Sequence, residues 1–120
     1  MLMGLHHVQL AMPQDGEADA RAFYSGVLRM YEEPKPPELA KKGGVWFQTG
    51  SVRVHLGVET PFAASKKAHP GFLVASLSMA RDALDAAGVT FESNGDFPGF
   101  NRLYVSDPFG NRIELLERAD

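Results

Sequence analysis

Cysteine is absent from the 120 residues, which excludes disulfides, thiolate metal sites and cysteine nucleophiles. Positive charge is scarce as well: 12 Lys and Arg stand against 15 Asp and Glu, for a net charge of −3. The longest basic runs are the Lys-Lys pairs at 41–42 and 66–67, read here as loop decoration, so a nucleic-acid surface is not expected. No apolar run approaches the ~20 residues that a bilayer-spanning helix needs, so no membrane partner is expected either. The opening "MLMGLHHVQLAMP" lacks a basic region and reaches two histidines within seven residues, unlike a secretory signal. A cytoplasmic location is the expectation.

What is present suits one compact domain. Apolar residues make up 44% and charged residues 22%, the balance of a folded chain with a real core. A strand is expected over Leu5–Ala11, ended by Pro13. A helix should open at Asp15 or Gly16 and run through "EADARAFYSGVL", with Ala20, Phe23, Tyr24 and Val27 at helical spacing. The proline-rich "EEPKPPELAKKGG" reads as a loop. Then "VWFQT" and "VRVHLGVE", separated by Gly50-Ser51, predict a hairpin.

Residues 60–68 read as a linker between a first module at about 4–59 and a second at about 69–118. The second begins with a strand in "HPGFLVASL" and continues with a helix in "MARDALDAAG", with Ser78 as N-cap and Gly88 as the stop. A short strand "VTFES", the loop "NGDFPGF", and the strands "NRLYVSD" and "NRIELLE" complete it; "DPFGN" is a strong turn signal. Each half thus runs strand, helix, then two or three strands. Two βαβββ modules define an α+β fold, a mixed cup-shaped sheet with helices on its outside.

Strand alternation then sorts the polar residues. In "VRVHLGV", Val52, Val54, Leu56 and Val58 share one face while Arg53 and His55 share the other. Val8 and Leu10 oppose His7 and Gln9, Phe72 and Val74 oppose His69 and Leu73, and Ile113 and Leu115 oppose Arg112, Glu114 and Leu116. The positions correspond between halves: His7 and His69 open the first strands, while His55 and Glu114 lie inside the last, 48 and 45 residues further on. Pairing of the two halves would bring all four together in a polar cleft. Three neutral imidazoles and one carboxylate suit a borderline divalent ion such as Zn, Ni, Fe, Co or Mn. Taken singly, each of these side chains reads better as an ordinary solvated or hydrogen-bonded one, and only the repeat-related set favours a metal site; His6, Gln9 and Glu117 are left with the ordinary reading.

The segments "LHHVQLAMP", "ARAFYSGVLRM", "HPGFLV" and "YVSDPFGNRIELLE" resemble the glyoxalase, bleomycin-resistance and extradiol-dioxygenase superfamily, the vicinal oxygen chelate proteins. The resemblance covers residues 4 to 117, and "DPFGNRIEL" is its most specific piece. It implies paired βαβββ units around a divalent metal. His7, His69 and Glu114 match the ligands of the first strand, the second module's opening and the final strand. His55 lies where metal-dependent glyoxalases and epimerases carry a Glu or Gln, so it is either a fourth ligand or a base beside the metal. In glyoxalase I a carboxylate there takes part in proton transfer, so the imidazole weakens a direct assignment to that enzyme.

The resemblance implies a glyoxalase-like metal-dependent enzyme that chelates vicinal oxygens of an oxygen-rich small molecule and stabilises an enolate or oxyanion, by isomerase, lyase or group-transfer chemistry. His55 and Glu114 are the catalytic candidates. Four protein ligands would leave a six-coordinate ion two positions for a bidentate substrate. Arg102 and Tyr104 alternate with Leu103 and Val105; with Arg53 and Trp46 they are the substrate-binding candidates, the arginines for a carboxylate or phosphonate. Surface salt bridges for the arginines and plain packing for Trp46 are the ordinary alternatives. The loop "NGDFPGFNR" either caps a ligand with its phenylalanines or simply connects strands. Similar proteins form homodimers with the pocket near the subunit boundary, and the ligands are then drawn from one chain or from two. Sequestration of an antibiotic without catalysis is the second reading, although such members generally lack the ligand set. A ring-cleaving Fe(II) dioxygenase is the third.

Overall fold

The computed structural model describes residues 1–93, 95 and 97–120. The chain divides into two compact units, Met1–Ala64 and Ser65–Asp120. In unit one, β1 (Val8–Met12) leads to a short helix, α1 (Glu17–Ala20), which runs on as a π-helical turn at Arg21–Ser25. β2 (Tyr31–Glu33), a single helical turn α2 (Pro37–Ala40), β3 (Val45–Thr49) and β4 (Val52–Val58) follow. The sheet order is β1-β4-β3-β2, with β1 parallel to β4 and the other pairs antiparallel.

Unit two repeats this plan with β5 (Gly71–Leu73), α3 (Leu77–Ala86), β6 (Phe91–Glu92), β7 (Phe100–Ser106) and β8 (Arg112–Arg118). Its order is β5-β8-β7-β6, again with only the first strand parallel to its neighbour. The α+β class and the doubled βαβββ architecture are as the sequence predicts.

Alternation fixes which face each sheet buries. Leu10, Met12, Val45, Phe47, Val54 and Leu56 form the core of unit one with Phe23 and Tyr24, and the Tyr24 ring stacks on Phe47 at 5.3 Å. In unit two Leu103, Val105, Ile113 and Leu115 meet Leu77 and Leu84 of α3. A one-residue slip of β4 would replace Val54 and Leu56 in the core with Arg53 and His55, so the register is strongly determined.

Several boundaries differ from the sequence expectation. Pairing starts at Val8 and not at Leu5, which is exposed. The proline-rich stretch is no plain loop: Tyr31–Glu33 forms the edge of the first sheet, where Pro34 can follow without breaking a ladder on both sides. The expected strand at 69–77 shrinks to three residues and "VTFES" to two. The cap of α3 is Ser76, not Ser78: Ser76 is extended, and its hydroxyl accepts from the Met79 N–H at 3.1 Å. Gly88 does follow the helix end, with a positive φ of 70°. In the loop "NGDFPGF", Asn94 and Asp96 lie outside the described residues; Phe97 is exposed, and Phe100 opens β7. Among the described residues no helix is long and apolar enough to cross a membrane.

Candidate functional site

The polar faces of the two sheets carry one arrangement twice. In unit one Gln9 is in register with His55, and His55 with Trp46. In unit two Gly71 is in register with Glu114, and Glu114 with Tyr104. His7 lies two residues before Gln9 and His69 two before Gly71. His7 therefore stands to His55 as His69 stands to Glu114.

In unit one the His55 ring is enclosed by two others. Trp46 stacks on it with centroids 4.0 Å apart and planes 5° from parallel, and His7 at 4.0 Å and 15°. His55 is only 5% exposed, and its Nε2 is buried without a hydrogen-bond partner among the described residues. Burial, reinforced by the neighbouring His7 and opposed by Glu33, pushes the His55 pKa below the usual 6.5. A neutral imidazole with a spare ring nitrogen is the form that binds metals. His7 is exposed, and its Nδ1 lies 2.9 Å from Nδ1 of His6. Arg53 shares the His55 face; its Nε is 3.9 Å from Glu33 Oε2, an ion pair too long for a hydrogen bond. Lys35 lies 5.9 Å from the Trp46 ring centre and donates to the Gly43 carbonyl.

In unit two Glu114 is 8% exposed and both its oxygens are engaged: Oε1 lies 2.9 Å from His69 Nε2, and Oε2 accepts from Arg102 at 3.1 Å. His69 Nδ1 donates to the Lys67 carbonyl at 2.8 Å, which places that ring's proton on Nδ1. A neutral His69 would then turn a lone pair toward Glu114 Oε1. The contact becomes attractive only when a positive centre, a proton or a metal ion, serves both atoms. Adjacent ligands bonded at about 2.1 Å and at right angles lie about 3 Å apart, close to this spacing. Tyr104 presents its ring edge-on to His69 at 5.5 Å, with the guanidinium carbons of Arg112 at 3.9 Å and Arg102 at 5.3 Å over its face.

The "DPFGN" turn holds this cluster in place. Asp107 Oδ1 accepts from the N–H groups of Phe109 and Asn111, both at 2.9 Å, and Asp107 Oδ2 from the Asn111 amide at 3.0 Å. Asn111 Oδ1 accepts from Ser65 N–H at 3.0 Å, tying the segment that leads to His69 onto the start of β8.

Of the predicted site residues, the fold thus brings together His7, His55 and Trp46 in one unit, and His69, Glu114, Arg102 and Tyr104 in the other. Among the described residues no group of three or more His, Asp or Glu forms a metal cluster within this chain. Sequence reading missed the Lys67 carbonyl and the parts played by Glu33 and Arg112. Arg112 was findable, since it shares Glu114's face at a spacing of two. Glu33 lay hidden in a stretch that reads as loop.

The fold and this doubled polar face define an α+β domain of paired βαβββ type. The model of the Glyoxalase/Bleomycin resistance protein/Dioxygenase superfamily matches residues 4–115, and the chain belongs to that superfamily. A protein from Bacillus anthracis assigned to the glyoxalase family has a similar crystal structure, with 44% identity over 99% of this chain and 98% of that one, and a TM-score of 0.95. The fold is shared with the fosfomycin resistance protein FosX from Listeria monocytogenes (16% identity, 99% and 96% covered, TM-score 0.78). It is shared also with a glyoxalase/dioxygenase from Nostoc punctiforme (19%, 98% and 92%, 0.78). No curated protein matches the chain. Members of the superfamily commonly use divalent metals, and each unit by itself carries donors of a kind such ions accept: in unit one a buried imidazole nitrogen without a partner among the described residues, in unit two a carbonyl-oriented histidine beside a carboxylate.

Proposed function

We propose that this chain is a metal-dependent enzyme acting on an oxygen-rich small molecule, with His7, His55, His69 and Glu114 as the ligands of one divalent ion such as Zn, Ni, Co, Mn or Fe. The observation that carries the proposal is the 2.9 Å approach of His69 Nε2 to Glu114 Oε1, with Nδ1 already committed to a carbonyl. When bound, the ion supplies Lewis acidity to vicinal oxygens on which enolate or oxyanion charge develops. The chain's own groups divide the remaining work. The Lys67 carbonyl keeps Nε2 of His69 as the donor nitrogen, and Arg102 fixes the Glu114 carboxylate. His55 acts as proton acceptor only when its free ring nitrogen is not bonded to the ion, Glu114 is the other catalytic candidate, and Arg53, Trp46, Arg102 and Tyr104 bind and orient the substrate. The proposal includes a cytoplasmic homodimer with its pocket near the subunit boundary, and the chemistry is isomerisation, lyase reaction or group transfer.

The test is metal analysis of chelator-stripped protein titrated with Zn, Co, Ni, Mn and Fe(II), repeated on His7→Ala, His69→Ala and Glu114→Gln. One ion per site is expected, with loss of binding in each variant. Full occupancy in all three variants, or no binding by the unaltered protein, would reject the enzyme in favour of a protein that merely sequesters its ligand.

A further inference from the structure

Among the described residues of unit two, Arg112 has no ion-pair partner. Glu114 is already shared by His69 and Arg102. The other carboxylate of that row is exposed Glu92, in register with Tyr104 on the outer strand. No ion pair joins Arg112 to any described carboxylate. Its guanidinium is held instead over the Tyr104 ring, 3.9 Å from the centroid, a contact that fixes its position without neutralising it. Tyr104 in turn contacts His69 edge-on. Arg112 precedes Glu114 by two residues on the same face of β8, and its own N–H donates to the Ser65 carbonyl at 2.9 Å, on the segment that leads to His69. Arg112 is half-buried, so it is ordered yet reachable.

We infer that Arg112 is a specificity-determining residue that receives an anionic oxygen group of the substrate, a carboxylate or a phosphoryl-type group, beside the His69–Glu114 pair. The inference rests on the metal-enzyme proposal for the identity of the site. The donor set favours the same ligand chemistry: one carboxylate among four donors leaves a divalent ion with a net positive charge, and Arg112 adds another. A guanidinium offers a fork of N–H donors matched to both kinds of oxyanion, and a lysine would not reproduce it.

Methylphosphonate and acetate serve as probes, titrated separately into chelator-stripped protein and followed by the Arg112 Nε–H and Tyr104 ring resonances. At least one is expected to shift both sets saturably, and the tighter probe identifies the oxyanion type. Arg112→Gln should weaken that probe about tenfold or more, with Arg112→Lys in between. Zn affinity, measured on the same samples, should stay within about twofold in both variants, because neither removes a proposed ligand. A folded Arg112→Gln protein that binds the probes as the unaltered protein does overturns the inference, as does the absence of any shift at Arg112. Failure of the unaltered protein to bind metal, with anion binding still dependent on Arg112, removes the enzyme proposal and leaves the anion site standing.

Discussion

Replacing Asn111 with alanine tests how far the turn at 107–111 holds the unit-two pair. Asn111 is fully buried; its amide oxygen accepts from Ser65 N–H and its amide nitrogen donates to Asp107 Oδ2, each at 3.0 Å. Truncation removes both bonds and strips one partner from a backbone donor and one from a buried carboxylate. Each loss costs about 1–3 kcal/mol, and Asp107 keeps its two backbone donors on Oδ1, so the total is about 2–4 kcal/mol. That is a large part of the roughly 5–15 kcal/mol by which domains are stable. At about 4–5 °C per kcal/mol for a chain of this size, the calorimetric midpoint should fall by about 8–20 °C.

The site should register the same change. Ser65 begins the segment that carries His69, and Glu114 lies three residues beyond Asn111. Cobalt affinity should therefore drop about tenfold, the lower end of what loss of an outer-shell support costs. Asn111→Asp keeps the shape but sets a second carboxylate against Asp107, so at neutral pH it should be at least as damaging and should partly recover in acid. A midpoint for Asn111→Ala within about 2 °C of the parent, less than roughly 0.5 kcal/mol, would refute the assignment of the turn as the support of this pair.

Three further outcomes are expected. Ser76→Ala should lose about 1 kcal/mol in urea unfolding, while Ser78→Ala should change stability by less than about 0.5 kcal/mol; the reverse order would return the cap to Ser78. His55 should titrate by NMR below 6.5, because burial disfavours its charged form. The unfolded chain takes up that proton near 6.5 and the native chain only at lower pH, so the stability this residue contributes is complete above about 6.5 and is lost as pH falls through the native pKa. His55→Phe should remove that part of the pH slope, and an unchanged slope would contradict the direction. Cobalt binding should quench the single tryptophan saturably, because Trp46 stacks at 4.0 Å on a proposed ligand; stoichiometric cobalt with unaltered Trp46 emission would remove His55 from the ligand set.

Much of this was legible in the sequence because strand alternation carries two messages at once. The valines and leucines of β4 and β8 name the buried face, and the same parity puts His55 and Glu114 opposite. The repeat then aligns His7 with His69 from residue spacing alone. What alternation does not encode is what lies across a strand. That His55 would be enclosed by Trp46 and His7 depends on register, and β2 with Glu33 could not be placed at all, since three residues running into Pro34 carry no periodicity. Ser76 and Ser78 are chemically equivalent caps, and only the point where α3 packs on β7 and β8 separates them.

The two units thus solve one geometric problem with different electrostatics. The first holds an imidazole between aromatic rings and leaves Nε2 without a partner among the described residues. The second holds a carboxyl group between an arginine and a histidine. The two differ in what they leave available: a ring nitrogen with no partner among the described residues in the first, and a carboxylate with both oxygens engaged in the second. An imidazole whose pKa burial lowers from 6.5 is unprotonated at neutral pH, so His55 can take up a proton or a cation without first giving up a hydrogen bond, whereas Glu114 has to release Arg102 or His69.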